Sequence, residues 1–198
     1  MAARPVASTG DTAQRLIEVA MELIQTRGFS AISYQDLADR LGIRKASIHY
    51  HFPSKTDLGV AAVRAYVGSF DAALAGIDAN PRLSSTKRFE QYCEPFRGLA
   101  ATPDKVCMCG ALASELFALP EEMRPLIKGF FATHEAWLAA LVRQGIKSGE
   151  FQRTAAPEKV AHTIFSALQG SLMVRRTAGE PAKTDAVIAT LRAMLLRS

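Results

Sequence analysis

Apolar residues recur at three- and four-residue spacing from early in the chain. Leu16, Ile17, Ala20, Leu23 and Ile24 mark one face of an amphipathic helix predicted over Asp11 to Arg27. Gly28 follows, the residue type that most readily takes the left-handed conformation ending a helix. Ser33, with Asp36 three positions on, has the form of a capping box and predicts a short helix from Tyr34 to Arg40. Leu41-Gly42-Ile43 reads as a tight turn, and Arg44 to Tyr50 as a second short helix. Phe52-Pro53-Ser54 breaks it, and Ser54 with Asp57 repeats the capping pattern ahead of a helix to about Ala75.

Turn formers crowd Asp78 to Thr86 around Asn80-Pro81, which places a domain hinge there. Beyond it the periodicity stays helical over roughly Thr86 to Ala101, Val106 to Ala118, Glu121 to Ser148, Glu158 to Thr177 and Lys183 to Arg197. No alternating strand pattern, internal repeat or low-complexity segment interrupts it. The predicted fold is all-α, about nine helices in count. A flexible arm over 1–10 precedes a three-helix N-terminal domain over 11–71, whose helix-turn-helix spans about 34–53, and a larger helical C-terminal domain fills 78–198.

Composition narrows the class. With 48% hydrophobic and 22% charged residues, the chain can bury a sizeable core and is neither disordered nor fibrous. The net charge of +5 and a pI near 9.3 favour polyanionic partners, because basic groups release counterions condensed on phosphates. Met1 to Gly10 carries Arg4 but no apolar core behind it, so no secretory signal is expected. The apolar stretch Leu126 to Ile146 is broken by Lys128, His134, Glu135 and Arg143, so no membrane partner is expected either. Three cysteines, an odd number, argue against a disulfide framework and for a reducing cytoplasm.

Two short helices joined by a Gly turn form the geometry in which one helix braces while the other enters the major groove. Leu37, Ala38 and Leu41 can pack against Ile43 and Ile48, which leaves Arg44, Lys45, Ser47, His49 and Tyr50 facing outward. Arg44 and Lys45 suit phosphates or guanine edges, Ser47 suits either base type, and Ala46 can touch a thymine methyl. Ser33 and Tyr34 open the bracing helix and Lys55 opens the next, where hydroxyl, ammonium and helix-end N–H groups meet phosphate. The bland alternative, a merely solvated basic face, does not account for the turn and caps that frame these residues. His49 and His51 stand at i and i+2, which points them apart on a helix and does not make a metal pair; no metal, cofactor or catalytic set is expected.

Residues 11 to 66 resemble the DNA-binding domain of TetR/AcrR-type repressors. The family's Gly-Phe, its Ser/Thr-x-x-Asp/Glu-Ile/Leu-Ala run, its Gly-Val/Ile turn and its closing His-Phe-x-Ser-Lys-x-x-Leu are matched by Gly28-Phe29, Ser33 to Ala38, Leu41-Gly42-Ile43 and His51 to Leu58. One departure stands out: the family's tyrosine two positions before the His-Phe pair is His49 here, and the tyrosine sits one later as Tyr50. Cys107-Met108-Cys109-Gly110-Ala111-Leu112-Ala113-Ser114-Glu115 is similar to the Gly-Cys-Leu-x-Gly-x-Leu-Ala-x-Glu opening of one subgroup's regulatory domain. The resemblance implies a DNA-binding regulator, a repressor, acting as a homodimer on palindromic double-stranded DNA and released by a small-molecule effector.

Further expectations follow for the C-terminal domain. Val160, Ile164, Leu168 and Leu172 stripe the penultimate helix and Val187, Leu191, Met194 and Leu195 the last, as a dimer interface requires; the alternative is that they serve the monomer's own core. Phe96, Cys107, Phe130, Phe131, His134, Trp137 and Phe165 supply an apolar chamber with a few polar groups for the effector, each of them otherwise an ordinary core residue. The three cysteines leave open a thiol-dependent enzyme or a redox or electrophile sensor using Cys107, or a zinc site with His134. The helix from Ser54, touching both domains, is the expected lever between effector and DNA.

Overall fold

The computed structural model describes residues 9–102 and 104–196, and among them nine helices. They are α1 (Thr9–Arg27), α2 (Tyr34–Leu41), α3 (Lys45–His51), α4 (Lys55–Asp78), α5 (Ser85–Ala101), α6 (Met108–Ser114), α7 (Arg124–Ser148), α8 (Pro157–Ala178) and α9 (Ala182–Leu195). The arm expected over 1–10 lies outside the described residues except for Thr9 and Gly10, which already belong to α1. The single extended contact among the described residues is an isolated antiparallel bridge between Phe151 and Leu196, which ties the α7–α8 loop to the end of α9.

The three-helix head forms for local reasons. Leu16, Ala20, Leu23 and Ile24 turn one face of α1 onto α4, where Leu58, Ala62 and Val63 are buried. Ser33 and Ser54 both complete capping boxes, each side chain accepting the N–H three residues on while Asp36 and Asp57 return to the Ser N–H. Gly42 takes φ +65 between α2 and α3, and its N–H closes on the Ala38 carbonyl.

Several boundaries differ from the periodicity. The lever helix runs on to Asp78, 24 residues and therefore about 36 Å at the usual rise. It is long and apolar enough by composition to cross a membrane, more so than the 126–146 stretch, and its buried side chains, Leu58, Ala62, Val63, Tyr66, Leu74 and Ile77, belong to the helical core. α6 stops at Ser114, four residues short of the expected end, because Glu115 turns out of the helix towards the head. α7 begins at Arg124 rather than Glu121, since Pro125 lacks an N–H and is tolerated only in a first turn. Asn80 and Pro81 do interrupt the chain: the Asn80 side chain accepts the Arg82 N–H at 3.1 Å, and α5 follows. Glu150 covers the start of α5 by accepting the Ser85 and Thr86 N–H groups, both at 3.0 Å.

One apolar core runs through the whole chain, from Leu16 to Leu195. α8 is central to it, packing on α5, α7 and α9. α6 reaches back to α1 and α4, so the head is built onto the larger helical unit and not merely tethered to it.

Candidate nucleic-acid interface

α3 is seven residues long and is held by one fully buried side chain, Ile48, against Leu37 and Ala38 of α2. Burial of that one position leaves Arg44, Lys45, Ala46, His49 and Tyr50 exposed, with Ser47 half-buried. Tyr50 is 76% exposed, unusual for an aromatic ring that could be buried. The ion pairs of the head, Arg27–Asp36 and Arg40–Glu22, do not involve Arg44 or Lys45. Around its exposed surface the helix and its N-cap therefore offer two cations outside the head's ion pairs, a hydroxyl, a methyl and two rings.

Beside it lies an open concavity of about 370 Å³ lined by Ser33, Tyr34, Lys45, His49, Ser54 and Lys55 among others. The first turns of α2 and α4 meet there, and their N–H dipoles favour an anion such as a backbone phosphate. The side chains expected to bind that phosphate are partly engaged elsewhere. The Tyr34 hydroxyl donates to the Phe52 carbonyl at 2.7 Å, and burial, aided by Asp57, pushes its pKa up to about 12. The Lys55 ammonium donates to the Ser30 carbonyl at 3.3 Å and stands 4.5 Å from the centre of the Phe29 ring, and burial lowers its pKa. The Ser33 hydroxyl is taken up by its own capping box. Tyr34, Lys55 and Ser33 thus line the concavity with partners already inside the chain, Lys45 lines it without one, and Arg44 stands exposed at the start of α3.

His49 takes the concavity wall that the displaced tyrosine leaves. Its Nδ1 lies 3.3 Å from the Pro53 carbonyl oxygen, and its ring packs edge-on to Tyr34 with centroids 4.7 Å apart. Tyr50 turns outward against His51. No group of three metal-ligating side chains occurs among the described residues, so Cys93, Cys107, Cys109 and His134 are not brought together as a ligand set.

The residues named for the C-terminal chamber pack largely against one another and fill the space between them. Phe96, Cys107, Phe130, His134 and Phe165 are at most 2% exposed, with Phe131 and Trp137 half-buried at the margin. His134 stacks on Phe165 with centroids 5.2 Å apart, and its Nδ1 is hydrogen-bonded to the Tyr92 hydroxyl at 2.9 Å. Trp137 stacks on Tyr92 and donates its N–H to Asp78 at the end of α4. Tyr92, Phe70 and Tyr66 are chamber residues that the sequence did not point to directly; the i, i+4 pairs Tyr66–Phe70 and Tyr92–Phe96 were the available signal. The space left is a crevice of about 20 Å³ between α4, α5 and α7.

Burial pushes His134 down to about 4, so the imidazole is neutral. An unfolded chain takes that proton near 6.5, so the folded state is fully stable above 6.5 and loses stability as pH falls from there to about 4. Thermal melts near pH 7 and near pH 5 are expected to differ less in His134→Phe than in the parent. An equal loss in both proteins contradicts the assignment.

All three cysteines are free and buried. Burial pushes Cys93 up to about 12 and Cys109 higher still. Cys107 accepts a hydrogen bond from Tyr66 at 3.5 Å. Thiols enclosed away from solvent are out of reach of oxidants and substrates, which runs against the thiol-enzyme and thiol-sensor readings.

The two C-terminal stripes divide. Leu168 and Leu172 are fully buried in the chain's own core, which removes them from a free dimer face, while Ile164, Leu191 and Leu195, also largely buried, form the floor of the groove between α8 and α9. Met194 is 54% exposed, Val160 and Val187 are half-buried, and Met173 and Val174, 44% and 57% exposed, extend the apolar face along α8. Two shallow grooves, of about 250 and 350 Å³, share Thr163, Leu191 and Met194 between α8 and α9 and are lined mainly by apolar side chains.

A contact made by the last residue of the Cys107–Glu115 motif joins the head to the C-terminal unit. The Glu115 carboxylate accepts the N–H of Phe29 at 3.0 Å, the N–H of Ser30 at 2.8 Å and the Ser30 hydroxyl. Gly28, at φ +83, lets it approach; a Cβ there would stand 2.0 Å from a Glu115 oxygen. The buried Gln25 side chain donates to the Val106 carbonyl at 3.2 Å, and Arg176 donates to the Thr26 carbonyl.

Residues 16–62 match the family model described as bacterial regulatory proteins, tetR family, and residues 85–191 match the tetracyclin repressor-like C-terminal domain. The chain is 26% identical over 164 residues to the transcriptional regulator AcuR of Cereibacter sphaeroides, covering 81% of this chain and 74% of that protein. It is 23% identical over 164 residues to the HTH-type transcriptional repressor DhaR of Mycobacterium sp. strain GP1, covering 81% and 80%. A TetR family transcriptional regulator from Agrobacterium tumefaciens, known by its crystal structure, superposes with a TM-score of 0.90 at 28% identity over 96% of this chain and 100% of that one.

Proposed function

The chain belongs to the TetR family and is a DNA-binding transcriptional regulator, and from that premise we propose that it is a cytoplasmic homodimeric repressor that leaves a palindromic operator when a small molecule enters its C-terminal domain. The head over 11–71 reads DNA, and the unit over 78–198 dimerises and holds the effector. The chain acts by binding and by conformational change rather than by catalysing a reaction. The observation that carries the reading is the exposed face of α3, where Arg44, Lys45, Ala46, His49 and Tyr50 surround one buried anchor, Ile48. Arg44 reads base edges, Lys45 holds phosphate at the mouth of the concavity, and Ala46 and Ser47 line the groove floor.

The exposed apolar strip of α8 and α9 supports a twofold dimer. Met194, Val187 and Val160 meet their symmetry mates across it, and the two heads then face successive major grooves about 34–36 Å apart. Binding of the full-length protein to fluorescent mixed-sequence duplexes tests the reading directly. Affinity that falls steeply with salt supports it, and no binding in dilute salt sinks it.

Glu115 couples the two parts. It accepts the Phe29 and Ser30 N–H groups of the α1–α2 loop from more than 80 residues away, and Lys55 braces the same loop from α4. Glu115→Ala is expected to cost about 1–3 kcal/mol of stability, because two N–H donors lose a charged acceptor. Amide exchange at Phe29 and Ser30 rises roughly tenfold or more, and operator affinity falls as the heads lose their fixed orientation. Unchanged exchange at those two amides contradicts the coupling role.

A further inference from the structure

His134 is 1% exposed, lines the crevice between α4, α5 and α7, and its Nε2 has no hydrogen-bond partner in the protein. Its other nitrogen is paired with Tyr92, whose hydroxyl proton needs an acceptor and has only that nitrogen in hydrogen-bond reach. If Tyr92 donates to Nδ1, a single group, the Nε2–H, is left unpaired. The opposite tautomer leaves two, the tyrosine proton and a bare Nε2. Burial keeps Tyr92 protonated and the imidazole neutral in either case, and the smaller number of unpaired groups favours the first arrangement. The unpaired donor that is fully buried belongs to a residue lining the crevice; the other polar lining residues are Tyr92 and the exposed Gln91, and none is charged.

Resting on the effector reading above, we propose that the effector is a small, uncharged, largely apolar molecule bearing one hydrogen-bond acceptor, such as a ketone or aldehyde carbonyl, that receives the His134 Nε2–H. A carboxylate is disfavoured because it would be buried with no cation beside it. Leaving a donor unpaired is costly, so an acceptor at this point is selected over a hydrocarbon of the same shape.

The same geometry says how such a molecule is felt at the DNA. About 20 Å³ admits the acceptor group but not a hydrocarbon body, so binding must part α4 from α5. Phe70, Leu74 and Ile77 form the α4 wall of the crevice, and the same helix begins at Lys55 against the head. Pro95 lies inside α5 and lines the crevice, where its missing N–H weakens the helix at the wall that must yield.

The test uses cyclohexanone, the isosteric hydrocarbon methylenecyclohexane, and cyclohexanecarboxylate, each titrated into the full-length protein. The chain's one tryptophan, Trp137, stacked on Tyr92 with centroids 5.2 Å apart, reports binding by fluorescence. The ratio of hydrocarbon to ketone dissociation constants is expected to fall roughly 5-fold or more in His134→Phe, which keeps the ring and removes the donor. Tyr92→Phe, which frees the imidazole to take either tautomer, is expected to lower the ratio part of the way and serves if His134→Phe does not fold. The proposal is overturned by a ratio unchanged in both variants, by tightest binding of the carboxylate, or by no saturable signal from any probe. Duplex binding by the same preparations, measured without probe, distinguishes the two possible failures. Retained DNA binding with no ketone preference sinks this inference alone, whereas absent DNA binding sinks the regulator reading.

Discussion

Arg44→Ala combined with Lys45→Ala is expected to weaken operator binding by about 10²- to 10⁴-fold, the sum of a lost base contact and a lost phosphate contact in each half of a dimer. Both side chains are exposed and neither joins the head's ion pairs, so the melting temperature should stay within about 2 °C of the parent. The singles separate the roles. Lys45→Ala weakens all duplexes alike and makes the salt dependence shallower by about two, one phosphate per half-site. Arg44→Ala relaxes the choice of base at one position per half-site and leaves more of the salt slope intact. Fluorescence anisotropy over a salt series measures both, and a double variant that still binds like the parent would show that DNA is read elsewhere.

Met194→Glu is expected to have the second largest effect. Met194 is already 54% exposed in the single chain, so a charged side chain there does not disturb the fold. In a twofold dimer the same position meets its mate, and two carboxylates are buried against apolar neighbours without a cation. The dissociation constant of the dimer should rise by on the order of 100-fold or more. Sedimentation at micromolar concentration then finds monomer, and operator affinity drops towards that of one head alone. Leu168 and Leu172, by contrast, are fully buried in the chain's own core, so their replacement unfolds the protein and says nothing about assembly. A Met194→Glu protein that stays dimeric would place the interface on another face.

What could be read from the sequence follows the range of the interactions. Both capping boxes, the Gly42 turn and the Ile48 anchor depend on residues within a few positions of one another, so the helix-turn-helix was legible at almost residue level. The roles of Tyr34 and Lys55 were not, because their partners, Phe52 and Ser30, are 18 and 25 residues away and become neighbours only after packing. Glu115 is the clearest case. Its local sequence favours a helix as far as Ala118, yet the chain turns there because Phe29 and Ser30, more than 80 residues earlier, need an acceptor. Apolar stripes identified α8 and α9 but could not separate core from interface, since both require the same side chains. The chamber was legible through its aromatics, and its one unpaired donor became visible only once Tyr92 was seen to occupy the other nitrogen of His134.

Selection of bound sequences from a random duplex library by the full-length protein tests the central claim most directly. The expected result is enrichment of an inverted repeat whose half-sites lie about one helical turn apart, 10–10.5 base pairs or a multiple, with enrichment lost as salt is raised. A library that emerges unenriched in dilute salt, or one dominated by a single half-site, would contradict a twofold pair of α3 helices reading the major groove.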